Sequence, residues 1–550
     1  LASPYASRCI GYHVGAGIYG EWHYAGAQHL PDTGPAMTAA FRRWLREEYG
    51  PDPTRLQSAW GRRDVSFNTA NVPGMEERLA SAFGIFRIPD RDGQVSDYYR
   101  CHHQVLTDTI LHFARIVKGE SPSSLVGVFY GYTSNMLWPQ DGGHLNLPAI
   151  LNSPYIDFLC SPHTYVGRAP GQDGGVRALP GSLRLHGKMF FDEADDRTHL
   201  TRNAYGRAAS ADEALQAMRR EFVQALTYGT GLWWFDMDSC WFDAPLLMNA
   251  VSRMSDIGRE GLNRDRRRIS EIAVVVGLES FYYLTNWRSG RDVVSDALLN
   301  EQWRELYKMG APFDLYELRD LADPRMPDYK CYLFLNTFYL GDHERQAIEA
   351  LKARGHTLVW FYAPGILSER GPQYGQAVTE WAGNNVSSLT GMDIAVHEQA
   401  RPLRLRSAEA FGGREWGTEK EVAPSLAVQD GGAEVLGQRA GDEAAVFARK
   451  GLGDWTSVYL SGPVVPAGVL REIARRAGCH IYLETDDNLY ANASYLALHA
   501  ASEGLKEVRL PRAAQVRELF SGRDLARGRH FAVELRLGET ALLELAPAGE

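Results

Sequence analysis

The sequence predicts an α/β protein, and three observations carry that prediction. Short apolar runs that end in polar clusters alternate with amphipathic helical stretches through the first half. From about Arg264 the alternation restarts as a doubly wound pattern, and from about Ile481 it gives way to short apolar runs separated by turns. At 550 residues the chain is long enough for several domains and a substantial core.

Composition narrows the function class. The formal net charge is −10 and no basic block dominates, which argues against nucleic acid as the partner. The chain contains no run of about 18 apolar residues, so no membrane span is expected. Aromatic residues reach 11%, with 13 Trp and 26 Tyr, a load that suits flat rings packing on the apolar faces of sugars. The six cysteines (Cys9, Cys101, Cys160, Cys240, Cys331 and Cys479) are widely spaced and read as reduced and structural. His13, His23 and His29 lack ligand spacing, so no metal or other cofactor is expected. The chain starts at Leu1 without a signal-like apolar core; the compartment is open, with the cytoplasm favoured.

In chain order, Arg8 to Tyr12 is a short strand candidate that runs into a Gly-rich loop presenting Glu21 beside Trp22. Ala36 to Tyr49 reads as an amphipathic helix stopped by Gly50-Pro51. Asp97 to Lys118 is a second helix, and Leu125 to Tyr132 and Tyr155 to Pro162 are strands, the latter leading to His163, Tyr165 and Arg168. Met189 to Phe191 starts a buried strand that ends in Asp192, Glu193, Asp195, Asp196 and Arg197. A carboxylate at the C-terminal end of such a strand is a candidate nucleophile. The alternative is that Glu193 pairs with Arg197 in a solvated loop. A helix over Ala211 to Thr227 then leads to the strand Gly231 to Met237, which carries Trp233, Trp234 and Asp236, with Trp241 beyond it.

The acid in a Gly-rich loop, the helix ending Trp44-Leu45-x-x-x-Tyr49-Gly50 and the following Leu56-x-x-Ala59-Trp60-Gly61 together resemble family 42 of the glycoside hydrolases, the β-galactosidases with a trimerisation domain. The resemblance implies that Glu21 is the general acid/base and Glu193 the nucleophile of a retaining hydrolase, 172 residues apart. It implies a partial (β/α)8 TIM-type barrel, strands four to eight, over residues 1–262. A flavodoxin-like, amidotransferase-like trimerisation domain follows over 263–480, and a small antiparallel β domain over 481–550. Only 20 residues precede Glu21, so the first three strands are expected to be missing from an N-terminally incomplete chain. The family places Asn directly before the acid/base, where this chain has Gly20, which makes galactoside specificity less secure than glycosidase chemistry.

In the second segment the expected elements are strands at Ile272 to Gly277, Phe313 to Tyr316, Cys331 to Asn336 and Thr357 to Phe361, with helices at Asp296 to Met309 and Gly341 to Arg354. Ser457 to Leu460 and a helix over Val464 to Ala477 close it, Arg404 to Gly441 reads as a polar loop, and Arg266 to Arg268 as a solvated linker. Amidotransferase chemistry is not expected, because the turn after Phe361 holds no cysteine.

Two carboxyl groups about 5 to 5.5 Å apart across a glycosidic bond permit double displacement. Glu193 is expected to be ionised, with Arg197 or Arg168 as partner, and Glu21 to have a pKa raised by Trp22 and by the charge of Glu193. Trp22, His163, Tyr165, Arg168, Arg197, Trp233, Trp234, Asp236 and Trp241 are the candidate substrate contacts. Asp192 is the alternative nucleophile, since neighbouring strand residues face opposite ways. The substrate is then a β-galactoside or related oligosaccharide and the assembly a homotrimer. The competing reading is a catalytically silent carbohydrate-binding or assembly protein with a degraded barrel.

Overall fold

The computed structural model describes residues 4–24, 32–136, 138–202, 205–237 and 240–547, which leaves His29 outside it. The first sheet has five parallel strands in chain order: β1 (Gly11–Val14), β2 (Leu125–Phe129), β3 (Phe158–Pro162), β4 (Met189–Ala194) and β5 (Gly231–Trp234). The predicted first strand lies later than expected, because Ala6–Arg8 forms a 3-10 turn. Helices Pro35–Tyr49, Pro89–Glu120, Pro180–Leu185 and Ala211–Tyr228 lie between the strands, the second starting well before the predicted Asp97.

Strand periodicity decides what each face buries. Val126, Val128, Leu159 and Phe190 point to the helices and are at most 2% exposed. Each such side chain contributes roughly 1.5–3 kcal/mol by leaving water. The other face carries His13, Phe129, Phe158, Phe191 and Trp233, whose rings touch one another at centroid distances from 4.6 to 6.3 Å. Glycine makes room for them: a Cβ on Gly127 would sit 2.0 Å from the Phe158 ring, and one on Gly231 would sit 2.5 Å from Phe191. Leu125 and Met189 on this face remain 37% and 40% exposed.

The second sheet is parallel at its core. β6 (Ile272–Val276), β7 (Phe313–Glu317), β8 (Cys331–Phe334), β9 (Thr357–Phe361) and the strand Trp455–Leu460 are ordered β7-β6-β8-β9 and then Trp455–Leu460. Three expectations need correction. The stretch from Arg404 to Gly441 is not a plain loop, since it contributes Leu405–Ser407, Glu415–Trp416 and Glu434–Arg439 to the antiparallel edge of this sheet. Its apolar signal is weak because these edge strands carry surface ion pairs, Arg404 and Arg406 with Glu415. The helix predicted over Asp296 to Met309 is interrupted by a π-turn at Ala297–Glu301. Arg268 is no solvated linker residue either, because it is anchored on Asp314 at 2.6 Å.

The third sheet is antiparallel, as the alternation after Ile481 predicts, with Asn488–Ala491, Tyr495–His499, Thr540–Pro547, Gly504–Glu518 and Arg523–Leu535 in that order. All six cysteines are free. No described helix is long and apolar enough to cross a membrane.

Candidate active site

The carboxyl ends of β1 to β5 gather most of the ionisable side chains singled out above. Glu21 follows β1 on a tight turn in which Tyr19, Gly20 and Trp22 all have positive φ, a conformation glycine adopts freely and the other two only under local constraint. Backbone bonds hold the turn: Glu21 N–H donates to Ile18 O at 3.0 Å and Trp22 N–H to Ala16 O at 2.8 Å. His144 Nε2 donates to Glu21 O at 2.9 Å, and the His144 ring stacks on His23 at 4.2 Å. Burial keeps both imidazoles neutral, with the His23 pKa lowered to about 4.

The Tyr132 hydroxyl donates to Glu21 Oε2 at 3.1 Å. Arg177 lies over the Tyr132 ring at 4.3 Å and donates through Nη2 to Asn135 O at 2.8 Å. Its Nη1 is buried without a hydrogen-bond partner, and its charge opposes the rise of the Glu21 pKa. Burial is nonetheless the larger effect, and the Glu21 carboxyl titrates above its ordinary range.

Strand alternation separates Asp192 from Glu193 at the end of β4. Asp192 faces the helices and pairs with His163 Nδ1 at 2.7 Å. The other His163 nitrogen meets Glu221, which Arg220 holds at 2.8 Å. Caught between two buried carboxylates, His163 has its pKa raised well above the ordinary value and is an imidazolium. Glu193 lies on the aromatic face, is 7% exposed and pairs across the strands with Trp233. Burial first, then the charges of Asp195, Glu21 and Asp192, push its pKa up to about 8. The expectation of an ionised Glu193 is therefore reversed in the free site. Tyr132 feels the charges of Glu21 and Glu193 alike, which places both carboxyls in one electrostatic neighbourhood.

The loop after β4 completes the constellation. Asp195 is fully buried, accepts the Tyr165 hydroxyl at 2.8 Å and pairs with Arg168. Arg168 thus serves Asp195 directly and Glu193 only through its field. Arg197 is placed against the rings of Tyr165, Tyr205 and Trp241 at 5.4 to 5.9 Å.

The remaining predicted contacts scatter. Trp22 is 3% exposed, donates to Val14 O at 3.0 Å and packs near Phe113 on a helix. Trp233 shares the Glu193 face, whereas Trp234 faces the core and meets Phe242. Asp236 is exposed and accepts the backbone N–H of Trp241, itself 4% exposed. Sequence reasoning missed Tyr132, His144, Arg177 and Glu221 as members of the site. Tyr132 was visible only as the end of a strand and Glu221 only as one position of a predicted helix, while His144 and Arg177 lie in segments without local signal.

No protein-family description matches this sequence, and no curated protein does. Solved structures do match in fold. A β-galactosidase from Bacillus circulans sp. alkalophilus aligns with a TM-score of 0.65 at 16% identity, over 94% of this chain and 77% of its own. A GH42 β-galactosidase from G. stearothermophilus, solved as a catalytic mutant, aligns at 0.62 with 13% identity, over 92% and 75%. A β-galactosidase from the haloarchaeon Halorubrum lacusprofundi gives 0.62 at 15% identity, over 97% and 79%.

Proposed function

We propose that this chain, whose fold is that of the GH42 β-galactosidases, is a retaining glycoside hydrolase acting on terminal β-galactosides or related β-glycosides. The observation that carries the reading is a field shared by two carboxyls from different strand ends: the charge of Glu21 helps raise the Glu193 pKa, and Tyr132 responds to both. In this reading the first sheet corresponds to strands four to eight of a (β/α)8 barrel. The second sheet belongs to a trimerisation domain over 263–480, the third to a β domain over 481–550, and the assembly is a homotrimer.

Glu193 acts as the nucleophile and Glu21 as the acid/base. Glu193 attacks the anomeric carbon as Glu21 gives its proton to the leaving oxygen, which forms a glycosyl-enzyme ester. Esterification removes the Glu193 charge, so the Glu21 pKa falls and its carboxylate can take a proton from water in the second step. The first step requires the pair to hold a single proton, which must sit on Glu21 as Glu193 attacks, and the raised values of both acids keep one on the pair near neutrality. Asp192 is tied to His163 on the helix-facing side of the sheet, which supports Glu193 as the reacting residue. Trp233 offers a ring beside Glu193 for the sugar, and Tyr132 and Arg177 orient Glu21.

Azide rescue tests the roles. In Glu193→Ala, azide occupying the vacated space attacks from the face opposite the leaving group and yields an α-glycosyl azide from an aryl β-galactoside. In Glu21→Ala it displaces Glu193 from the glycosyl-enzyme and yields the β-azide. Wild-type hydrolysis in either variant refutes the assignment.

A further inference from the structure

A crevice at the carboxyl ends of the second sheet takes no part in this chemistry. In an open doubly wound sheet, ligands bind outside the carboxyl ends of the strands where the strand order reverses. Here the order β7-β6-β8-β9 puts that point between β6 and β8. The turn Leu278–Tyr283 follows β6 and the turn Leu318–Ala322 follows β7, while helix Pro89–Glu120 of the first segment forms the opposite wall. Two adjoining cavities of about 190 and 760 Å³ share Glu48, Arg100, Glu279 and Arg319 as walls. The larger falls in the usual range of small-molecule sites, about 300–1,000 Å³.

The wall chemistry selects the ligand. Glu279 takes both shared arginines, Arg100 at 2.5 Å on one carboxylate oxygen and Arg319 at 2.5 Å on the other. Arg100 also donates to the Tyr283 hydroxyl at 2.7 Å. An anion would compete with Glu279 for these guanidiniums, and a cation would compete with them for Glu279, so neither is favoured. Glu317 lines the smaller cavity with its pKa pushed up to about 8 by burial, so at neutral pH it is an uncharged carboxyl with a proton to donate. Three buried polar atoms of the lining still lack partners: Ser96 Oγ, on a residue only 2% exposed that lines the larger cavity, Arg100 Nε and Asp90 Oδ1. Unsatisfied buried donors and acceptors in a charge-paired wall suit a molecule rich in hydroxyls.

We propose that this crevice is a second ligand site, separate from Glu21 and Glu193, that binds a neutral polyhydroxylated molecule of monosaccharide size. The proposal stands whether or not the first site hydrolyses glycosides.

Calorimetric titration of the full chain with D-galactose and D-glucose tests it, alongside Glu48→Arg and Ser96→Val. Glu48 is an exposed residue on the shared wall, so Glu48→Arg introduces a cation there without disturbing the core. Ser96→Val removes the unpartnered hydroxyl. Thermal unfolding checks that both variants are folded. The expected result is saturable binding of at least one sugar by the wild type, weakened tenfold or more by each variant, with hydrolysis of a chromogenic β-galactoside unchanged. Absence of sugar binding, or binding that neither variant alters, overturns the proposal. Displacement of the sugar by spermidine or inorganic phosphate at equal concentration refutes the neutral-ligand assignment.

Discussion

Replacing Glu193 by Gln should abolish hydrolysis and at the same time stabilise the protein. Its surroundings hold the Glu193 carboxyl at about 8 against an ordinary value of 4.5. Each pK unit is worth about 1.4 kcal/mol. Because the folded value is the higher one, the folded state keeps a proton that the unfolded chain has released between these pH values. The resulting destabilisation is absent below about 4.5, grows as pH rises and is complete above about 8. At pH 7 it reaches roughly 3 kcal/mol, or about 2 once the access of solvent to the pocket is discounted. Glutamine keeps the shape and never carries the charge. Denaturant unfolding at about pH 5, 7 and 9 should show a Glu193→Gln advantage that is small at the lowest pH and widens with pH, while kcat falls by about 10⁴-fold or more. A variant that is less stable than wild type near neutrality, or an advantage independent of pH, would show that the carboxyl is not strained by burial and like charge.

Other consequences are accessible to the same assays. The pH dependence of kcat/KM should be bell-shaped, with an acidic limb above 4.5 and a basic limb near 8 that belong to the coupled pair Glu21 and Glu193, because the productive pair holds one proton. Tyr132→Phe removes a hydrogen bond that lowers the Glu21 pKa, so the acidic limb should move to higher pH and kcat/KM should fall by about tenfold. Arg177→Met should move that limb the same way, since it removes a buried positive charge near Glu21; an unmoved limb would place Arg177 outside the site's field. His163→Phe leaves Asp192 as an uncompensated buried carboxylate and Glu221 with Arg220 alone, and should cost about 3–5 kcal/mol in denaturant unfolding. A loss under 1 kcal/mol would mean that these acids are protonated in the native state.

Local pattern was enough to determine the alternation of strand and helix, the strand Thr357–Phe361 to the residue, the antiparallel tail, and the presence of acids at two strand ends. These features depend on neighbours in the chain: hydrophobic period, glycine and proline punctuation, and an apolar run meeting a charge cluster. Pattern was weaker where burial is one-sided, as in the edge strands around Leu405–Ser407, and where a π-turn breaks a continuous helical period at Ala297–Glu301. Only the tertiary structure decided what the acids do to one another. Whether His163 would meet substrate or carboxylates, whether Trp22 would line a pocket or a core, and that Arg177 would lie over Tyr132 all depend on contacts between distant segments. The ionisation of Glu193 was misjudged for the same reason. A pKa is set by burial and by charges summed in space, and residues such as Glu21 come near Glu193 only when five parallel strands end side by side.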